Sequence, residues 1–413
     1  MTATAHGDPR VHLDAAGLGS MPTTARAALI EWTRHEDRYG PYALEEYLDD
    51  VVHDELRARL TGLLKAPAGD TVLFTGSADA FATVVSRLPL GPHDRIWTTP
   101  YEGVANLTAL YAARDRTRCG LDVVPLRPDG DLDTEWMAAH IDDDVAFVSV
   151  TQVPAGCGIV NPVEAIGRIL APHRCLYAVD ASYAVGQLPV DVERTGCDLL
   201  TGDGWRFLRG PRFIGFAHVS RRLRETLVPP GLVPLVPPHG AAVVALSAAL
   251  AAHRDEAPDE ALTAALRTAV EEAPGTELIV PGRLQSHILA FRHERIPAAQ
   301  IRRRLAARGV DVRKTVAAES PLFRPGPDFT TAVRASVHQD NSERDIERFG
   351  AALREILAQE MPHPQPLLLP QPQPQRLPRT QSQLQPHSSP HAHTPTPRDP
   401  APTRPALTLV GGA

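Results

Sequence analysis

Residues 145–180 read VAFVSVTQVPAGCGIVNPVEAIGRILAPHRCLYAVD, and this stretch decides the fold. Val145–Val150 and Leu176–Val179 are apolar runs of buried-strand length. Between them Pro162–Leu170 has helical periodicity behind an Asn161-Pro162 start. Strand, helix, strand at this spacing is a βαβ unit, whose strands pair in parallel and are covered on both faces. The alternation continues towards the N-terminus. Thr71–Thr75 (TVLFT) runs into Gly76, Ser77 and a helical stretch, and Arg95–Thr99 (RIWTT) is a further strand. From about Ala241 the pattern changes to Ala/Leu-rich helices with short strands at Glu277–Val280 and His287–Phe291, closed by an amphipathic helix at Asp345–Leu357. The expected fold class is α/β. It comprises an N-terminal arm over 1–14, a large domain with a mainly parallel sheet over 15–235, and a small α+β C-terminal domain over 236–360.

Composition narrows the function. With 413 residues, 43% of them hydrophobic, the chain can bury two ordinary cores. No run of eighteen apolar residues occurs, so no membrane span is expected, and MTATAHGDPR is not patterned as a signal peptide. A net charge of −7 argues against a nucleic-acid partner. The four cysteines (Cys119, Cys157, Cys175, Cys197) form no CxxC, which fits a reducing cytoplasm and neither a disulfide scaffold nor a cysteine metal site. Of 42 basic residues only Lys65 and Lys314 are lysine, so any amine chemistry has two candidates. From Met361 onward, 53 residues hold 14 of the 40 prolines in Gln-Pro and His-Thr-Pro units. Such a segment buries too little apolar surface to offset its ordering entropy and reads as a disordered tail. His391 and His393 within it read as part of a solvated low-complexity segment rather than a metal site.

Ligands of open parallel sheets bind at the carboxyl ends of the strands. Four segments are candidates on that rule. Thr75-Gly76-Ser77-Ala78 leads a strand into a helix, where backbone N–H groups can cradle a phosphate. Asp180 ends the strand LYAV; it either meets a cation or strong donor, or caps the following turn. Gly202–Arg212 (GDGWRFLRGPR) packs arginines and Asp203 around Trp205, either as an anion-binding loop or as a solvated turn. Arg334, after the strand-like Thr330–Val333, can grip a carboxylate bidentately.

The segments HLDAAGLGSMP, FTGSADA, VDASYAVGQLPVDVERTGCDLLTGDGWRFLRGPRFIGF and VRASVHQDNSERDIERF resemble the class V aminotransferase family, which includes cysteine desulfurases. Within it, the Arg-rich chain with YGPY near the start is most similar to ergothioneine-pathway C–S lyases that cleave hercynylcysteine sulfoxide. The resemblance spans about residues 10–358 and implies a fold type I homodimer using pyridoxal phosphate (PLP). It places Arg206 where the family has its aldimine lysine and Asp203 where it has a phosphate donor. Gly103, after Glu102, falls at the ring-stacking position, with Tyr101 beside it. Ala155 falls at the phenolate-binding position, and Tyr183 at that of a glutamine. Asp180 would pair with the pyridine nitrogen, Gly76 and Ser77 would hold the phosphate, and Arg334 would hold a substrate carboxylate, with Arg206 and Arg209 as anion clamps. A guanidinium stays protonated and cannot form an aldimine, so any PLP is not held covalently at residue 206.

Lys314, in Val312-Arg313-Lys314-Thr315, matches the small-domain loop that carries a cysteine in persulfide-forming members; no cysteine lies between 198 and 413, which excludes that mechanism. The readings that follow are three. The chain acts on or binds a small amino-acid or sulfur-containing, carboxylate-bearing metabolite without aldimine chemistry at residue 206. It is a catalytically inactive dimeric scaffold or metabolite sensor. Or it is a PLP enzyme with its amine relocated to Lys314. The tail reading generates its own test. A chain ending at Glu360 is expected to keep the thermal midpoint of the full chain, and a calorimetric loss of several degrees would show that the tail docks.

Overall fold

The computed structural model describes residues 9–359 except 49–52, 231–237, 255–256 and 327–328; the proline-rich tail lies outside the described residues. In chain order, β1 (Val11–His12) is followed by α1 (Thr23–Tyr39), α2 (Pro41–Tyr47) and α3 (His53–Leu64). β2 (Thr71–Phe74) leads into α4 (Ser77–Val85), β3 (Arg95–Thr98) into α5 (Val104–Thr117), and β4 (Gly120–Val123) into α6 (Thr134–His140). β5 (Val145–Thr151), α7 (Val163–Leu170) and β6 (Leu176–Asp180) form the βαβ unit anticipated from the sequence. Then come α8 (Val192–Thr195), β7 (Leu199–Asp203), β8 (Gly215–Val219), α9 (Arg221–Thr226), α10 (Gly240–Ala251) and α11 (Glu260–Glu271). The remainder is β9 (Thr276–Leu278), β10 (Ile288–His293), α12 (Ala298–Ala307), β11 (Val310–Asp311), β12 (Arg313–Val316), β13 (Thr331–Ser336) and α13 (Glu343–Ala358).

Seven strands make the large sheet in the order β2-β8-β7-β6-β5-β3-β4. Only β8 runs antiparallel to its neighbours. Successive strand side chains point to opposite faces, and the central strands are apolar on both. Val148, Val150, Tyr177, Val179 and Leu200 enter the core on one face. Phe147, Leu176, Ala178 and Leu199 enter the core on the other. The four-stranded sheet β12-β13-β10-β9 of the small domain is antiparallel. Its core includes Leu266 of α11, Leu305 of α12 and Leu353 of α13.

The structure divides these domains differently from the expectation at two places. Helix α10 follows residue 236, yet Val243 and Leu246 belong to the large core with Trp32 of α1. At the other end, the arm is not separate: Val11 and Leu13 belong to the small-domain core, and β1 pairs in parallel with β11. Residues from both ends of the chain therefore build the small domain.

Leu246 also props the loop after β7. A Cβ built on Gly204 would lie 2.9 Å from a Leu246 methyl, and one on Gly210 would lie 2.7 Å from another. Leu246→Ala is expected to lower stability by about 2–5 kcal/mol in chemical denaturation, the range for emptying a fully buried leucine site. A cost below about 1 kcal/mol would show that α10 does not support that loop.

Candidate active site

Asp180 ends β6, Asp203 ends β7, and Gly76 follows β2, so the parallel strands deliver all three to one edge of the sheet. A cavity of about 450 Å³ opens there. Its wall includes Gly76, Ser77, Asp79, Tyr101, Asp180, Tyr183, Asp203, Trp205, Arg206 and Glu319. The sheet edge thus brings together six of the expected cofactor-site residues and Arg206.

Asp203 is the hub. Its side chain is buried, and Ser77 N–H at the start of α4 donates to its Oδ1 at 3.0 Å. Arg206 Nε donates to its Oδ2 at 2.8 Å. Arg206 Nη1 donates to the Ala16 carbonyl at 2.7 Å, and the guanidinium carbon lies 3.8 Å from the Tyr183 ring centre. Burial works against the Arg206 charge, but Tyr183, Asp203 and Asp180 outweigh it and raise its pKa above the ordinary value. The Trp205 ring lies over Gly76, 3.1 Å from where a Cβ would stand.

Asp180 meets strong donors rather than a cation. Asn106 Nδ2 donates to its Oδ2 at 2.9 Å, and Ser182 N–H to its Oδ1 at 2.9 Å. Burial, with a contribution from Asp203, raises its pKa against the pull of the Ser182 and Asn106 hydrogen bonds. Glu102 lies fully buried beneath the cavity rather than lining it. It accepts from Ser149 Oγ at 2.7 Å, Thr151 Oγ1 at 2.9 Å and Asn106 Nδ2 at 3.0 Å. Burial is the main cause of its raised pKa. Nothing lies within 4 Å of a Cβ built on Gly103. Tyr101 lines the cavity, but its hydroxyl donates outward to the Gly130 carbonyl at 2.6 Å.

Three expected residues stand apart from the cavity. Arg209 pairs with Asp340 at 2.5 Å and donates to the Ser20 carbonyl, so its charge is already matched by a residue between β13 and α13. Arg334 lies inside β13 rather than after it, buried to 1% exposure, with Nη2 on Asp14 Oδ1 at 3.2 Å. It reaches the cavity wall from behind, through the Ala155 carbonyl and the Tyr183 ring. Lys314 stands opposite Val333 on the core face of the small sheet, whereas Arg313 stands opposite Arg334. Its side chain therefore leaves β12 on the face away from Arg334. Lys65, with 63% exposure, pairs with Asp191 on the surface.

Sequence reasoning missed Asn106, Asp79, Glu319 and Asp14. Asn106 sits four residues after Glu102, at the spacing that stacks side chains along a helix, and that spacing was a usable signal. Asp79 sits in the first turn of α4, where its Oδ2 accepts from Thr75 Oγ1 at 2.8 Å. Glu319 comes from a 3-10 turn of the small domain and accepts from Thr315 Oγ1 at 2.6 Å; no local pattern marks it. The thiols supply no nucleophile. All four are buried, and burial pushes Cys157 up to about 12 and Cys175 up to about 11.

The family model described as aminotransferase class V matches residues 43–233. The cysteine desulfurase of Klebsiella pneumoniae is 27% identical over 235 residues, covering 54% of this chain and 56% of the relative. The chain thus aligns with little over half the length of that relative. The probable cysteine desulfurase of Xylella fastidiosa is 25% identical over 386 residues, covering 85% of this chain and 92% of the relative. Among solved structures, the cysteine desulfurase CsdA of Escherichia coli matches with a TM-score of 0.76 at 20% identity, covering 86% of this chain and 96% of that one. The cystine C–S lyase C-DES, solved with its product cysteine persulfide, matches with a TM-score of 0.73 at 17% identity, covering 84% and 97%. A C-DES variant solved with glycine covalently linked to its PLP cofactor matches with a TM-score of 0.72 at 16% identity, covering 84% and 96%. The βαβ order, the strand-end cavity and these matches together give the chain a fold type I architecture, similar over residues 43–233 to aminotransferase class V and over most of its length to cysteine desulfurases.

Proposed function

We propose that this chain uses the class V scaffold to bind or transform a small amino-acid or sulfur-containing metabolite, without a lysine aldimine at residue 206. The observation that carries the reading is the pair between Arg206 and Asp203, seated on the first N–H of α4. PLP held in the family's manner needs an amine beside the ring and an open phosphate seat at that helix start. The residues do not fit it. Position 206 is a guanidinium, the Ser77 N–H already has a carboxylate, and the Trp205 ring covers Gly76. Neither lysine lines the cavity. Arg334, behind Ala155 and Tyr183, supports a carboxylate on the metabolite.

The second reading, an inactive dimeric scaffold or metabolite sensor, is favoured by the empty space over Gly103. The homodimer belongs to both readings as part of the proposal. The orientation of Lys314 speaks against a relocated amine.

The test is spectroscopic. The purified protein is expected to be colourless and, after incubation with PLP and borohydride, to yield no phosphopyridoxyl-lysine peptide. A borohydride-stable adduct mapped to Lys314 or Lys65 would overturn the reading. Arg206→Lys alone is expected to restore no stable adduct, because Asp203 still occupies the helix start. A visible band and a mapped adduct at residue 206 in that variant would show that the site needed only the amine.

A further inference from the structure

A second cavity, of about 640 Å³, lies between the end of α3, the end of α10 and the 185–190 segment that follows β6. Its apolar wall is Leu63, Val185, Leu188, Val190 and Leu250. Its basic wall is Arg59, Lys65 and His253, and among the described residues no carboxylate lines it. Glu55 and Asp191, which pair with Arg59 and Lys65, stand outside the wall. In a chain of net charge −7, a cavity with only basic groups in its wall is a local exception. The two ion pairs do not use these cations up. Both cations are exposed, and pairs made by exposed cations are weak. An ammonium and a guanidinium each carry more N–H donors than one carboxylate occupies, so each keeps donors for a further anion.

The backbone at Lys65 is an independent observation. Helix α3 ends at Leu64, and Lys65 follows it at φ +49, in the left-handed region. Glycine is the usual residue there, because a Cβ makes that conformation costly. The chain has two lysines among its 42 basic residues, and one of them holds this strained position in a cavity wall. Backbone strain kept at a pocket points to a binding role. The wall is also fixed in advance. Gln187 lines the cavity at 1% exposure and is bonded at both ends of its amide: Oε1 accepts from His287 N–H at 3.0 Å, and Nε2 donates to the Tyr183 carbonyl. Gly186, at φ +89, packs so closely on the loop of Arg206 that a Cβ would lie 3.0 Å from Leu208 and Phe207. A wall held this way costs little further ordering when a ligand enters.

We propose that this second cavity binds an amphipathic anion, an apolar chain with one acidic head, the chain against Leu63, Val185, Leu188, Val190 and Leu250 and the head at Lys65 and Arg59. An apolar chain gains by leaving water for that wall. The head stays with the exposed cations, so its charge is matched without full burial. An aliphatic carboxylate is the simplest ligand of this class.

The experiment titrates the full chain by calorimetry at neutral pH and constant ionic strength, below the micelle concentration of each probe. The probes are acetate, hexanoate, octanoate and decanoate, with 1-octanol and octylammonium beside them. At least one of the three longer carboxylates is expected to bind saturably and more tightly than both 1-octanol and octylammonium, while acetate does not saturate. Lys65→Gly is expected to fold, because glycine takes this backbone without strain, and Arg59→Gln changes an exposed side chain. Each is expected to weaken the carboxylate about twofold to fivefold, the range for one exposed charge contact, and to leave 1-octanol unchanged. The bound carboxylate is expected to slow amide hydrogen exchange in residues 58–65 and 185–190, which locates it here rather than at the strand ends.

Absence of saturable binding across the longer carboxylates overturns the proposal. So does octylammonium or acetate binding as tightly as the best of them, or unchanged carboxylate affinity in both variants. Slowed exchange confined to residues outside 58–65 and 185–190 overturns it as well, since the ligand would then sit elsewhere. Arg59→Gln alone decides the charge arm if Lys65→Gly does not fold.

Discussion

One buried carboxylate organises the site. Asp203 accepts from Ser77 N–H at the start of α4 and pairs with Arg206, which in turn holds the Ala16 carbonyl. Through Asp203 and Arg206 together, three segments far apart in sequence, at residues 16, 77 and 203–206, are tied to one another. A buried guanidinium is costly without a partner, and a buried carboxylate equally so. Each residue therefore fixes the other, and the pair determines which charges the cavity still has to offer.

Around that pair the cavity is a place where charges are matched locally rather than held in reserve. Asp180 is held by Asn106 and Ser182, Glu102 by Thr98, Gly103, Asn106, Ser149 and Thr151, and Arg209 by Asp340. Arg334 is paired with Asp14, and its Nε alone has no hydrogen-bond partner. A site arranged this way gains selectivity from the donors and acceptors left unmatched, because a ligand that fails to match them leaves a desolvated group unpaired.

The sheet was legible because buried parallel strands need apolar side chains on both faces, and runs such as VAFVSV and LYAV supply them. The strand-end position of Asp180 and the turn at Gly76 followed from the same rule. The domain boundary was less legible. Helix α10 is Ala-rich with little amphipathic signature, and its place against α1 is set by tertiary packing that no local pattern encodes. Glu319 and Asp14 reach the site only through the small domain and the first strand, so their roles depend on contacts across some three hundred residues, such as the Asp14–Arg334 pair. The face of Lys314 was decided by a register, Lys314 opposite Val333, that one residue of slip would have reversed.

The pairing of β1 with β11 joins residue 11 to residue 310. This imposes an order of assembly on a chain that leaves the ribosome N-terminus first. Strands β2 to β8 can find their neighbours within the first 219 residues. The opening strand has no strand partner until β11 has been synthesised, and the Asp14 carboxylate has no guanidinium until Arg334 follows. Closing so long a loop comes late because its entropy cost precedes the contacts that repay it. Until then the carbonyl of Ala16 is not fixed in place for Arg206, so the cavity wall is completed by the last part of the domain to be made.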